Sequence, residues 1–200
     1  MLKKAAIGAG LPVGLAEDAS QAGAWLVGQD QDGVGAVLMA IKEGINSPGA
    51  KIREGHTQIF LEARVAFCGP SGVDLLASDA SVDEIHLCKV DSPFLLMGQA
   101  GIGYQDFGIE LILRFSGGAT ASISKQGLSL RGPPPEEGTD VFMTCRQSNQ
   151  TTGIANTRTN DIEIGMETWR AIEALAAKTY VTSSEISRAK GAGAGLIDNC

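Results

Sequence analysis

The chain lacks most of the features that announce a partner. Positive charge is in the minority: 16 Lys and Arg stand against 23 Asp and Glu, a formal charge of -7 with a pI near 4.8. That acidic balance is spread along the chain, which opposes binding to a phosphate backbone and docking on an anionic bilayer, so neither nucleic acid nor membrane is expected as a partner. No window approaches the roughly 18 consecutive apolar residues of a spanning helix. The four cysteines, Cys68, Cys88, Cys145 and Cys200, have no short mutual spacing, and MLKKAAIGAG lacks the apolar run of a secretory leader. A cytoplasmic location is the expectation. No internal repeat is visible, and no motif fixes a reaction, so whether the chain is an enzyme is left open.

What is present is enough for one domain. The 200 residues are 44% hydrophobic, and the 26 glycines are scattered through segments that keep their periodicity. Three parts succeed one another within a single domain over 1–200: a helical part at 1–45, a β-rich part at 56–147, and a helix with a Gly-rich tail at 161–200. Leu2, Ala5, Ala6 and Ala9 hold helical spacing up to Gly10-Leu11-Pro12, and Leu15, Ala19, Ala22 and Leu26 repeat it. Asp32 is placed to cap a third helix carrying Val34, Val37, Leu38 and Ile41, with Gly44 as its stop and a turn at Asn46 to Gly49.

The period then changes. Ile59, Leu61, Ala63, Val65 and Phe67 alternate before Gly69-Pro70-Ser71-Gly72, which predicts a hairpin returning through Val73 to Ala77. Ile85 to Val90 reads as a strand, Pro93 to Met97 as a segment buried on both faces, and Gly98 to Gly108 as a loop or a short broken helix. Ile109 to Phe115, Ala119 to Ser124 and Leu128 to Leu130, joined by glycine turns, form an antiparallel meander. Gly132 to Gly138 is a stiff proline connection, Asp140 to Arg146 a further strand, and Trp169, Ile172, Leu175 and Ala176 the stripe of a last long helix. The fold class is therefore α+β: N-terminal helices, a central mostly antiparallel sheet, then a C-terminal helix followed by a short capped helix and a Gly-rich tail.

That tail concentrates the candidate site. Thr182-Ser183-Ser184-Glu185 fits a capping box for a helix ending near Lys190, which would align Ser184 with Arg188 and Ser187 with Lys190. Ser184, Ser187, Arg188, Lys190 and Asp198 are accordingly the expected ligand-binding residues, with the two cations holding a small acidic metabolite; no catalytic residue is assigned. Ser187 to Lys190 also matches an S-x-x-K dyad, but a second match at Ser122 to Lys125 shows how easily that pattern arises. Gly191 to Gly195 follows no strand, so it is not a nucleotide fingerprint, and tight backbone packing is the better reading than anion binding.

His86 and Cys88 flank Leu87 and share a strand face, with Asp83 and Glu84 nearby. One H-x-C pair without further donors favours a satisfied histidine and a small core thiol over a metal site, so neither metal nor cofactor is expected. Asp106 and Glu110 flank an apolar stretch, but spacing across different elements does not establish them as a carboxylate pair. The alternative function is non-catalytic: a structural or homo-oligomeric interaction protein, with the tail and the alanine-faced helices as its packing surfaces.

Two resemblances complete the reading. Lys3-Lys4-Ala5-Ala6, Gly8 to Leu11 and Gly14-Leu15-Ala16-Glu17 at one end, and Thr179-Tyr180-Val181, Ser184-Glu185, Ser187-Arg188, Gly191 to Gly195 and Asp198-Asn199 at the other, resemble an uncharacterised bacterial family, the domain of unknown function DUF3726. Cys200 stands where that family is expected to carry an acid. The resemblance implies no activity. Gly33-Val34-Gly35 followed by Lys42 to Asn46 is similar to the non-Rossmann malate and L-lactate dehydrogenase family, but Gly35-Ala36 stands in place of its Ser-His-Gly histidine, and no function is carried over.

Overall fold

The computed structural model describes residues 1–42, 50–146 and 163–180. The chain opens with α1 (Leu2–Gly8), α2 (Val13–Val27) and α3 (Gly33–Ile41). Asp32 caps α3 as its sequence position predicts, Oδ1 accepting the Gly35 N–H at 2.7 Å. There follow β1 (Lys51–Glu54), β2 (Thr57–Phe60), α4 (Val65–Ser78), β3 (Glu84–Val90) and α5 (Pro93–Phe107), then β4 (Glu110–Phe115), β5 (Thr120–Ser124), β6 (Gly127–Arg131), β7 (Thr139–Arg146) and α6 (Met166–Ala177). Gly44, the Asn46 to Gly49 turn and the capped helix from Ser183 lie outside the described residues. Among the described residues no helix is long and apolar enough to cross a membrane.

The seven strands form one sheet in the order β1-β2-β3-β7-β4-β5-β6. Every neighbouring pair is antiparallel except β2 with β3, which α4 connects as a crossover. One face of the sheet carries Ile85, Leu87, Leu111, Leu113, Ile123, Val141 and Met143, all fully buried beneath α4 and α5. The other face carries half-buried side chains, among them His86, Phe142, Ile112 and Thr144. α2 and α3 cover α5 from outside, and α1 and α6 pack together, with Ile172 and Ala176 of α6 buried.

Two expectations from the sequence are corrected. Val65 to Ser78 is a helix and not the return arm of a hairpin. The alternation from Ile59 stops at Phe60, and Glu62 turns the chain in the left-handed region at φ 50°. Beyond it the buried positions are Val65, Ala66, Cys68, Gly69, Gly72, Val73 and Leu76, a helical stripe partly made of glycines, which a hydrophobic count passes over. Pro70 sits inside this helix and withdraws one N–H from its ladder. A hairpin does exist one strand earlier, β1 with β2 around Gly55 at φ 59°; β1 is exposed at every position and carried no alternation to detect.

Residues 93–107, in turn, are a single helix of 15 residues with Pro93 in its first turn and Gly108 closing it at φ 69°. Its burial on nearly every face erases the amphipathic period. The glycines inside it are contact points. A Cβ on Gly98 would lie 2.6 Å from the Ala22 carbonyl oxygen of α2, and one on Gly101 would collide with the indole of Trp25, which is 2% exposed. In an exposed helix Gly→Ala gains about 1 kcal/mol of helix propensity. Here overpacking against Trp25, a cost of about 1–3 kcal/mol, opposes and exceeds it. Gly101→Ala is therefore expected to lower the urea midpoint with little change in slope; a raised midpoint would show that α2 and α5 can part.

Candidate metal centre

The site follows from an irregularity between β3 and β7. Leu87 pairs with Val141 and Val90 with Thr139, so Cys88 and Lys89 together stand opposite one residue, Asp140. This is a β-bulge, and Lys89 takes the left-handed conformation within it at φ 52°. The displaced Lys89 N–H donates to Asp140 Oδ1 at 2.8 Å, while the Cys88 carbonyl accepts the Ala63 N–H at 2.8 Å. Both strands are thereby pinned where the pleat is broken.

His86 reaches the same place from the regular part of β3. Its ring stacks on Phe142, its partner in the register, with centroids 4.2 Å apart and planes 16° from parallel. Nε2 then lies 3.6 Å from Cys88 Sγ and 3.7 Å from Asp140 Oδ2. One donor atom from each of the three residues falls within 4.8 Å of the others, and among the described residues this is the one such group of three His, Cys, Asp or Glu side chains. The side chains are half-buried, and a hollow of about 390 Å³ is lined by Ala50, Leu61, Glu62, Cys88 and Lys89.

These separations can be compared with a coordination polyhedron. A tetrahedral zinc ion with bonds of about 2.3 Å to sulfur and about 2.0–2.2 Å to nitrogen and oxygen sets S to N at about 3.6 Å and N to O at about 3.4 Å. The observed 3.6 and 3.7 Å lie within a few tenths of an ångström of that. A catalytic thiol triad would need a different arrangement, with the nucleophile and the orienting carboxylate at opposite ring nitrogens. Here the carboxylate lies at Nε2, and the thiol, 3.6 Å from Nε2 and 4.0 Å from Nδ1, is not set at the opposite nitrogen alone. Burial first, and then the Asp140 carboxylate, push the Cys88 thiol above its ordinary range, against the smaller opposite pull of Lys89. That keeps the thiol protonated, contrary to what a free nucleophile requires.

The residues singled out from sequence fall in several places. Ser184, Ser187, Arg188, Lys190 and Asp198 lie outside the described residues, as does Cys200. Asp83 and Glu84 turn to other partners, His56 at 3.6 Å and Arg114 at 2.8 Å. Asp106 lines a helical cleft with Asp18 and Asp74, and Glu110 is not part of that lining. Cys68 is buried in α4, where desolvation, reinforced by Asp91, pushes its thiol up to about 12. The His86 and Cys88 pair was visible in the sequence, but Asp140 was not. It is 52 positions beyond Cys88 and enters only because β7 lies beside β3.

Because Asp140 holds the Cys88 proton on, its neutralisation has a definite sign. Asp140→Asn is expected to shift the alkylation profile of Cys88 to lower pH, as followed by mass spectrometry of the modified peptide. An unmoved profile would place the carboxylate's influence elsewhere.

No curated protein and no solved structure matches this chain. One family model does, over α1, α2, α3, β1 and the start of β2; the C-terminal residues that resemble the same family are not part of the match. Residues 1–57 thus match the family described as a protein of unknown function, DUF3726.

Proposed function

We propose that the protein binds a divalent ion of the zinc class through His86, Cys88 and Asp140, with a fourth position left for water or a small-molecule ligand. The observation that carries this reading is the convergence of three unlike donors from two strands within 4.8 Å of one another, with the sulfur and the carboxylate oxygen each close to a tetrahedral edge from Nε2. Thiolate with imidazole selects zinc over magnesium or calcium, which take oxygen donors. Three protein ligands and an open position are the composition of a catalytic zinc site, whereas structural sites are closed by four.

The surroundings support it. Stacking on Phe142 orients the His86 ring, and the Lys89 N–H fixes one carboxylate oxygen of Asp140 while the other faces the ring. The hollow beside Cys88 gives a ligand room to approach. An acidic small molecule, the class expected from sequence, would enter through its own carboxylate. A reducing compartment such as the cytoplasm suits the reading, because Cys88 must stay a free thiol, as are Cys68 and Cys145.

Cobalt titration of the reduced, metal-stripped full chain tests it. The parent is expected to develop the near-ultraviolet absorption of a cobalt–thiolate bond, lost in Cys88→Ala, with affinity falling by more than about a hundredfold in His86→Ala, beyond the loss typical of an outer-sphere change. Binding must also expel the proton held on Cys88. Apparent affinity should therefore rise about tenfold per unit between roughly pH 7 and 8, with one proton released per ion in calorimetry. Retention of cobalt by Cys88→Ala with unchanged spectrum and affinity would refute the site.

A further inference from the structure

Unlike groups also meet where the chain leaves β2 and where β3 bulges. The hollow of about 390 Å³ there combines the apolar side chains of Ala50 and Leu61 with Glu62, Cys88 and Lys89. Its volume lies within the range of small-molecule sites, about 300–1,000 Å³. Leu61 is 37% exposed, so its side chain is open to a ligand. Glu62 and Lys89 both hold a left-handed backbone, at φ 50° and 52°, a conformation that costs free energy at a residue with a Cβ. Among the described residues only Asp30 shares it at a non-glycine position, so the strain is concentrated on this one hollow.

The independent observation is charge. Glu62 and Lys89 stand on adjoining stretches of backbone, because the N–H of Ala63 donates to the carbonyl of Cys88 at 2.8 Å. Unlike charges on neighbouring tracks attract and ordinarily close on one another. Among the described residues, however, neither side chain is engaged in an ion pair, with the other or with a third residue. The lining therefore offers one carboxylate, one ammonium and an apolar patch, none of them taken. A ligand of one charge would satisfy one of the two and be repelled by the other. A zwitterion satisfies both.

We propose that this hollow binds a small apolar α-amino acid, its ammonium held by Glu62, its carboxylate by Lys89, and its side chain laid against Leu61 and Ala50. A peptide fits less well, because its two termini are separated by intervening chain, whereas the neighbouring Glu62 and Lys89 suit two charges on one carbon. The volume equals about thirteen waters of liquid, room for a side chain of a few carbons beyond the zwitterion. The proposal does not rest on an ion at His86, Cys88 and Asp140, since the hollow shares only Cys88 with that set. It is accordingly tested on the metal-free chain.

The test is a titration of the reduced, isotope-labelled full chain with L-valine, followed by the backbone amide shifts of Glu62 and Lys89. Isobutylamine and isovalerate, which keep the side chain but lack the carboxylate or the ammonium, are the controls. Valine is expected to shift both amides saturably, and each control to bind at least about tenfold more weakly. Glu62→Gln and Lys89→Gln should each weaken valine by a similar factor while leaving the rest of the amide spectrum in place. Both positions are exposed, so neither replacement disturbs the core. Should a variant fail to fold, the two controls decide on the parent chain alone. No saturable shift with valine, equal binding of either control, or unchanged affinity in the two variants would each overturn the proposal.

Discussion

The spacing between α2 and α5 is set by atoms that are missing. Gly98 admits the Ala22 carbonyl and Gly101 the flat of the Trp25 indole, so the two backbones lie closer than any side chain at those positions would allow. The alanine stripe of α2, with Ala16, Ala19 and Ala22 fully buried, follows from the same proximity, because larger residues would hold the helices apart. With α5 so held, Leu95, Leu96 and Met97 are buried completely, and Leu111, Leu113 and Ile123 of the sheet are sealed beneath the helical layer. The aspartates of α2, α4 and α5 converge as a by-product of this packing, which brings three helix surfaces to one cleft.

The open face of the sheet obeys a different constraint. Strand pairing alone would have continued the pleat through Cys88, and the extra residue at Lys89 prevents it. The cost is a left-handed backbone at a residue with a side chain. What it accomplishes is local: an N–H that would have entered the ladder turns to hold Asp140. His86, two residues before the bulged Cys88, keeps its regular position over Phe142. The proposed ligand set thus joins one regular strand position with two displaced ones, an arrangement that neither a perfect strand pair nor a free loop would produce.

How far the sequence announces all this depends on which residues carry the signal. Where one face is apolar and the other polar, as in the strand ending at Phe115 or the helix capped by Asp32, the element is legible because burial and period coincide. α4 and α5 defeat that reading for a shared reason: their buried faces use Gly69, Gly72, Gly98, Gly101 and Gly103, which have no hydropathy to count, and α5 is buried nearly all round. β1 fails in the opposite direction, exposed throughout. The site was half legible. His86 and Cys88 are two residues apart and declare a common face, whereas Asp140 and the bulge depend on a strand order that no local pattern encodes. The expected C-terminal residues, from Ser184 to Asp198, stand outside the described part of the chain.

The place of β7 carries a consequence for how the molecule comes into being. It is the last strand in the chain among those described, yet it lies at the centre of the sheet, between β3 and β4. During synthesis from the N-terminus, β1, β2 and β3 with α4 can assemble on one side, and β4, β5 and β6 on the other, before residues 139–146 leave the ribosome. Until then β3 and β4 each present an unpaired edge, and the two halves have no hydrogen-bonded seam between them. Insertion of one late strand closes both edges at once, a step of long sequence separation that leaves the nascent chain open to wrong partners for longer than a meander would. Asp140 arrives on that same strand, so the His86 and Cys88 donors gain their third companion only when the sheet itself is finished.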